Sequence, residues 1–168
     1  YETLIAESSD TTPNVQVDGK DTWFQIYTSG TTGVPKGVVR SHQSYIAFYL
    51  INAVDFGFSE KDKGMIVMPL YHVNSTFYGL LFLYIGASLF VGRDKGFDSV
   101  ELLRTLSEEK ITFTSLIPTH YSLILNVSED VRRQFDVGSV RKLLCSSAPA
   151  RVHIKKGILQ VFPNVELF

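Results

Sequence analysis

The chain has 168 residues, of which 45% are hydrophobic and 20% charged, a balance typical of a globular domain with one substantial core. Its formal net charge of −1 provides no basic field that would attract nucleic acid or an anionic membrane. Cys145 is the single cysteine, which excludes an intrachain disulfide and fits a reducing, cytoplasmic compartment. The longest apolar stretch, residues 77–91, is interrupted by Gly and Ser and is shorter than the roughly 20 residues that span a bilayer.

The secondary-structure pattern begins irregularly and then alternates between strands and helices. Residues 1–21 are polar and turn-rich and are predicted to be an irregular lead-in. Strands are predicted at 22–27 and 37–40, and Ser41 is a candidate N-cap for a helix running to about Val54. Further along, the pattern predicts strands at 65–68, 87–91, 111–115, 141–144 and 165–167, and helices at 75–84, after the N-cap Asp98, at 118–125 and at 151–160.

This alternation predicts the fold class. Short strands that are apolar on both faces need helices on both sides, so we expect an α/β layered domain with a largely parallel sheet flanked by helices. In such sheets ligands bind beyond the carboxyl ends of the strands. Three segments with chemically useful residues, 28–37, 69–76 and 146–149, each follow a predicted strand. We therefore treat these three segments as candidate functional sites.

The first segment runs from Thr28 to Lys36 and suits a polyphosphate. Glycines let the backbone approach a ligand and adopt positive φ, exposed N–H groups bind anions, hydroxyls donate to phosphate oxygens, and lysine adds a point charge. An ordinary P-loop is excluded because Pro35 stands where the second glycine of that motif belongs. The alternative is a Ser/Thr-rich surface turn. The candidate phosphate-binding residues are Thr28, Ser29, Gly30, Thr31, Thr32, Gly33 and Lys36.

The second and third segments are each open to two interpretations. His72 follows a predicted buried strand, where a histidine serves either as a functional group or as a hydrogen-bonded structural residue. The third segment consists of Ser146, Ser147, Ala148 and Pro149. Its small residues would let a flat ring approach closely, but either serine would equally suit the N-cap of a helix that starts near Pro149.

Together the three segments resemble the motifs of the adenylate-forming (AMP-binding) superfamily. Residues 27–38 read Y-T-S-G-T-T-G-V-P-K-G-V and match the signature Y-T-S-G-T-T-G-x-P-K-G-V. Residues 69–72 read P-L-Y-H, similar to the P-L-[FY]-H motif of acyl- and aryl-CoA synthetases, and residues 146–149 read S-S-A-P, similar to G-[GA]-A-P with serine at both leading positions. The superfamily includes those synthetases, the adenylation domains of peptide synthetases and the beetle luciferases.

The resemblance implies a role for each segment. The loop would hold the β- and γ-phosphates of ATP, His72 would orient the acyl carboxylate near the α-phosphate, and residues 146–149 would pack on adenine. His72 is therefore the candidate catalytic residue. Proton abstraction is not needed, because a carboxylate is already nucleophilic at neutral pH.

The implied activity is that of an acyl-CoA synthetase, which converts a carboxylic acid and ATP to acyl-AMP and pyrophosphate and then transfers the acyl group to CoA, with Mg²⁺ as the metal ion. Amino-acid-activating relatives carry an Asp near residues 71–75 that pairs with the substrate ammonium. This chain has no acidic residue there, which favours an acid without an α-amino group. Among such acids, a fatty acid is expected ahead of an aryl acid. The alternatives are an aryl-acid CoA ligase, a luciferase-like member, or a non-catalytic nucleotide-binding module.

The resemblance covers only part of a family member. Residues 1–168 are predicted to be a fragment of the large N-terminal domain, inactive by itself, without the rest of that domain or the small C-terminal domain. The family's Mg²⁺-binding Glu lies in a Y-G-x-T-E motif with no counterpart here, so no metal ligand is assigned. Of the other histidines, His120 follows segment 117–119, which borders the acyl pocket in similar proteins, so His120 is a candidate substrate contact. Cys145 ends an apolar run and is expected to be a buried, inert side chain.

Overall fold

The computed structural model describes residues 1–28, 33–92 and 96–168. The chain divides into two compact units, residues 1–48 and 49–168. The first contains α1 (Glu2–Glu7), β1 (Thr22–Thr28), β2 (Lys36–Ser41) and the start of α2 (His42–Asp55), which continues into the second. The second unit then carries β3 (Lys63–Ile66), α3 (Val73–Tyr84), β4 (Ser88–Val91), α4 (Ser99–Glu108), β5 (Phe113–Leu116), α5 (Pro118–Asn126), α6 (Glu129–Arg132), β6 (Lys142–Cys145), α7 (Val152–Val161) and β7 (Glu166–Leu167).

The lead-in is not irregular throughout, which corrects the prediction for residues 1–21. Helix α1 occupies Glu2–Glu7, a stretch that lacks Gly and Pro and contains good helix formers. The helix ends at Ser8, whose hydroxyl donates to the Leu4 carbonyl at 2.5 Å. The turn-rich sequence that motivated the prediction begins only there.

Strands β1 and β2 pair antiparallel and form their own two-stranded sheet, with Thr28 opposite Lys36. Segment 28–37 therefore follows a strand of an antiparallel hairpin and not a strand of the parallel sheet, which corrects the prediction. The physical reason is length, because residues 29–35 are fewer than the dozen or so that a parallel crossover requires.

Helix α2 begins where its capping residue predicts. The Ser41 hydroxyl accepts a hydrogen bond from the Ser44 amide at 3.3 Å, which confirms Ser41 as the N-cap. The first turns of the helix carry rings that pack against the hairpin, with Phe24 and Tyr45 centroids 5.9 Å apart. The Arg40 guanidinium lies 5.6 Å from the centre of the same Tyr45 ring.

The second unit is an α/β layered structure built on a parallel sheet, which confirms the predicted fold class. Within the described residues the sheet has five strands in the order β4-β3-β5-β6-β7, and every neighbouring pair is parallel. Helix α3 packs on β3 and β4, and α5 packs against α4 and α7. The largest side chains with almost no exposed surface are Tyr121, Phe82, Phe113, Phe162, Leu81, Leu103 and Leu106.

Element boundaries shift slightly from the prediction. Strand β3 begins at Lys63, two residues before the predicted run, because Lys63 and Gly64 pair with β4 although neither residue type favours strands. Helix α4 begins after Asp98, whose carboxylate accepts from the Val100 and Glu101 amides at 2.8 and 2.9 Å, so this predicted N-cap is confirmed. The short helix α6 was not predicted.

A charged cluster joins the amino ends of three strands around Asp62, which is only 3% exposed. Its carboxylate accepts from the Ser59 amide at 2.9 Å, the Thr112 hydroxyl at 2.8 Å and the Arg141 guanidinium at 2.7 Å. Burial acts to raise the pKa of Asp62, but these hydrogen bonds and the charges of Arg141 and Lys142 outweigh it and hold the pKa below its usual value. The cluster therefore remains an ion pair at neutral pH.

Across the described part of the chain, no helix combines the length and the apolar character that crossing a bilayer would demand.

Candidate functional site

The described part of the glycine-rich loop is closed at its base by the β1–β2 hairpin. Thr28 ends β1, Lys36 begins β2, and the Thr28 hydroxyl donates to the Lys36 carbonyl at 3.4 Å. The side chain of Lys36 is exposed and available to an anion. Gly33 has φ of +82°, a conformation that glycine adopts without steric cost. Four of the predicted phosphate-binding residues, Ser29, Gly30, Thr31 and Thr32, lie outside the described residues.

His72 lies at the N-cap of helix α3 with its side chain exposed. Its amide donates to the Pro69 carbonyl at 2.9 Å, and its own carbonyl accepts from the Thr76 amide at 3.1 Å. These bonds fix the backbone on both sides of the residue. The imidazole is thus presented to solvent from a rigid backbone, just beyond the carboxyl end of β3, where ligands of parallel sheets bind.

The first turn of α3 anchors the chain segment that leads into it. The Ser75 hydroxyl donates to the Met68 carbonyl at 2.7 Å, and the Thr76 hydroxyl donates to the Leu70 carbonyl. Ser75 is almost fully buried. Residues 68–72 are therefore held against the helix by side chains that follow them in sequence, which limits the movement of His72.

Asn74, in the same turn, connects this segment to two other strands. Its amide nitrogen donates to the Ser115 hydroxyl at 2.8 Å and to the Ser146 hydroxyl at 2.8 Å, and the two hydroxyls are 3.3 Å apart. Ser115 lies in β5 and Ser146 directly follows β6. The second and third predicted segments are thereby brought together, since Asn74 is two residues from His72.

Sequence reasoning included Asn74 only as part of segment 69–76, without a role, and missed Ser115. The available signal was weak but real: a serine near the end of a fully buried strand has a hydroxyl that must find a partner, and an asparagine inside a helix is disfavoured unless its amide is used.

The third segment forms a turn, not a helix cap. Helix α7 begins only at Val152, with Arg151 as its N-cap residue, so the N-cap interpretation of Ser146 and Ser147 is wrong. The Ser146 amide donates to the Leu116 carbonyl at 3.0 Å, and Ser147 has φ of +69°. This left-handed residue turns the chain so that the Ala148 amide donates back to the Ser146 carbonyl at 2.9 Å.

Ala148 and Pro149 line a cavity of about 150 Å³ beyond the carboxyl ends of β6 and β7. Lys155 from α7 and Phe168 also line it, so the cavity offers one cation and one aromatic ring. Cys145 forms part of its wall and is only partly buried, which corrects the prediction that it is buried. Burial raises the pKa of its thiol, so the sulfur is protonated at neutral pH.

A larger cavity of about 750 Å³ lies elsewhere, between α4 and strands β3 and β4. None of the predicted site residues lines it. Its walls include Gly92 and Gly96, which flank residues 93–95 outside the described part of the chain. In the portions that the structure describes, no three His, Cys, Asp or Glu side chains group in a way that could hold a metal ion.

Comparison with known proteins decides the family. The family model described as "AMP-binding enzyme" matches residues 1–168. The chain belongs to the AMP-binding enzyme family. Relatives include 4-coumarate–CoA ligase-like 3 of Arabidopsis thaliana, 27% identical over 99% of this chain and 30% of its own length, and 2-succinylbenzoate–CoA ligase of Bacillus licheniformis, 31% identical over 74% of this chain and 25% of its own length. The chain therefore spans less than a third of these curated relatives.

The fold is shared with a solved structure. The N-terminal domain of FACL13 from Mycobacterium tuberculosis superposes with a TM-score of 0.83 at 24% identity, over 99% of this chain and 40% of that domain. The resemblance read from the three motifs is thus confirmed at the level of family and fold.

Proposed function

We propose that this chain is part of the N-terminal domain of a CoA ligase that activates a carboxylic acid with ATP. The observation that carries the proposal is the meeting of two motif segments at the carboxyl edge of one parallel sheet, where Asn74 joins the His72 turn to Ser146. An AMP-binding family match over the whole chain supports it.

The residues suit the first half-reaction, in which a carboxylate oxygen attacks the α-phosphate of ATP and pyrophosphate leaves. The attacking group is already ionised at neutral pH, so positioning and charge neutralisation are what the site must supply. Lys36 and the loop would hold the β- and γ-phosphates, His72 would orient the carboxylate, and residues 146–149 would pack on adenine. In the second half-reaction, the thiol of CoA takes the acyl group and AMP leaves.

The family implies Mg²⁺ as the partner of ATP, but the three segments do not fit a site for it. Segments 28–37, 69–76 and 146–149 contain no Asp or Glu, and Mg²⁺ in nucleotide sites is held by one or two carboxylates together with the phosphates. We therefore assign it no ligand in this chain and derive no step through it.

The acid is proposed to lack an α-amino group. Residues 71–75 contain no carboxylate that could pair with a substrate ammonium, and the Asn74 amide hydrogens are taken by two serines. The names of the relatives, 4-coumarate– and 2-succinylbenzoate–CoA ligases, favour an aryl acid over the fatty acid that the sequence alone had favoured. We propose an aryl acid first and a fatty acid second.

The test is carboxylate-dependent ATP–pyrophosphate exchange by the full-length protein, with 4-coumarate, 2-succinylbenzoate, a long-chain fatty acid and phenylalanine. Exchange with the aryl acids alone supports the proposal in full. Exchange with the fatty acid alone would instead favour the fatty-acid substrate expected from the sequence. If no acid supports exchange although ATP still binds, the protein either activates a carboxylate outside this panel or is a non-catalytic nucleotide-binding module. The isolated chain 1–168 is expected to give no exchange.

The single cysteine supports a cytoplasmic location, which fractionation of cells would test.

A further inference from the structure

Three consecutive polar residues, Asn74, Ser75 and Thr76, follow Val73 in the first turn of helix α3, and only Asn74 bonds by its side chain to residues outside segment 68–76. Ser75 and Thr76 donate to carbonyls of residues 68 and 70. Asn74 instead bonds to side chains 41 and 72 positions away along the chain. Ser75 and Thr76 therefore hold the His72 turn locally, whereas Asn74 links that turn to β5 and to the residue after β6.

Both hydrogens of the Asn74 amide are used within the protein. An asparagine NH₂ group has two hydrogens, and here one goes to the Ser115 hydroxyl and the other to the Ser146 hydroxyl, each at 2.8 Å. Two acceptors, one in β5 and one directly after β6, fix the orientation of the amide plane. Ser115, in a fully buried strand, provides a fixed point from which Ser146 is located.

Ser146 is the residue through which this link reaches the third segment. Its amide donates to the Leu116 carbonyl, its hydroxyl bonds to the Asn74 amide and, at 3.3 Å, to the Ser115 hydroxyl, and its carbonyl accepts from the Ala148 amide. The next residue, Ser147, is held at φ of +69°, a conformation that serine keeps only while its surroundings enforce it. Of these bonds, only the one from Asn74 comes from helix α3.

We propose that Asn74 is a positioning residue that fixes segment 146–149 relative to the His72 turn. It acts through Ser146, so that one amide sets the spacing between the two segments. The role in catalysis rests on the proposed function, in which these segments hold the adenine and the acyl carboxylate of one reaction. The link itself does not depend on that function.

The test replaces Asn74 by Leu, which keeps the volume and removes the donors. In the full-length protein, amide hydrogen exchange of peptides covering residues 144–150 is expected to become about two- to tenfold faster, as the loss of one neutral hydrogen bond allows. In ATP–pyrophosphate exchange, KM for ATP is expected to rise by a similar factor while kcat changes less. Asn74→Asp, whose carboxylate can accept from both serine hydroxyls, should restore slow hydrogen exchange.

A double-mutant cycle shows whether the effect passes through Ser146. Because Ser146→Ala removes the same bond from its other end, adding Asn74→Leu should cause little further change in KM or in hydrogen exchange at residues 144–150. The matched control is Thr105→Val, which removes a buried hydroxyl that bonds only within α4. It should leave both readouts unchanged.

Two results overturn the proposal: unchanged hydrogen exchange at residues 144–150 in Asn74→Leu, or fully additive effects in the cycle. If Asn74→Leu does not fold, Ser146→Ala is measured with the same expected and contradicting results. Faster hydrogen exchange in a protein that activates no acid would support the link while refuting the proposed function, so the two failures are distinguishable.

Discussion

The imidazole of His120 stacks flat on the ring of Phe97, with centroids 3.9 Å apart and planes only 3° from parallel. His120 lies in the first turn of α5 and is 9% exposed. Its Nδ1 atom has no hydrogen-bond partner among the described residues. Burial lowers the pKa of His120, so the ring that stacks on Phe97 is the neutral form.

This stack predicts a loss of stability in mild acid. Because the folded pKa lies below the unfolded value of about 6.5, the unfolded chain binds the proton first as the pH falls. The contribution of neutral His120 to the free energy of unfolding is complete above about pH 6.5. It declines as the pH falls towards the folded pKa. His120→Phe keeps a stacking ring without a titrating group, so its free energy of unfolding should fall less than that of the wild type between pH 7 and pH 5. Denaturant titrations at several pH values measure this, and equal slopes for both proteins would contradict it.

A pair of glycine substitutions tests the packing of the second unit. A Cβ at Gly64 in β3 would lie 2.9 Å from two carbons of the fully buried Phe82 ring, so Gly64→Ala should lower the free energy of unfolding by about 1–3 kcal/mol. Gly79→Ala is the matched control, because its Cβ would come no nearer than 3.5 Å to any atom. In the middle of helix α3 it should stabilise by up to about 1 kcal/mol. Thermal or denaturant unfolding measures both variants, and an unchanged free energy of unfolding in Gly64→Ala would show that the Phe82 ring gives way.

The features predicted correctly from sequence are those fixed by local chemistry. Ser41 and Asp98 cap their helices because a short polar side chain reaches the free amides of the next turn, whatever the rest of the fold does. The pairing of β1 with β2 could not be read from propensity, because both strands look alike whether they pair with each other or join the parallel sheet. The contact of Asn74 with Ser146 depends on the strand order, which brings distant residues together.

Replacing His72 separates a functional from a structural role. If His72 orients the acyl carboxylate, His72→Ala should lower kcat for ATP–pyrophosphate exchange by about 100-fold, the usual effect of losing one preorganised donor. The melting temperature should not change, because the side chain is exposed. His153→Ala, at another exposed histidine, is the control and should leave both quantities unchanged. A fall in melting temperature without a fall in kcat would make His72 a structural residue.

Lys36→Ala tests the phosphate role of the hairpin loop. Losing a charged donor to a phosphate oxygen should raise Kd for ATP by about 10- to 100-fold in the full-length protein. Titration calorimetry measures Kd directly. Lys20→Ala removes the same charge from an exposed turn that precedes the hairpin, and it should leave Kd unchanged. Equal affinity in the Lys36 variant would exclude the phosphate contact.

The positive φ of Ser147 restricts which substitutions are tolerated at this position. The side chain is exposed, and exposed positions ordinarily accept almost any polar residue. With φ at +69°, Gly would relieve the strain, Asn and Asp would tolerate it, and β-branched residues would be excluded. Few substitutions at this exposed residue are therefore neutral, because its backbone angle limits which side chains it accepts.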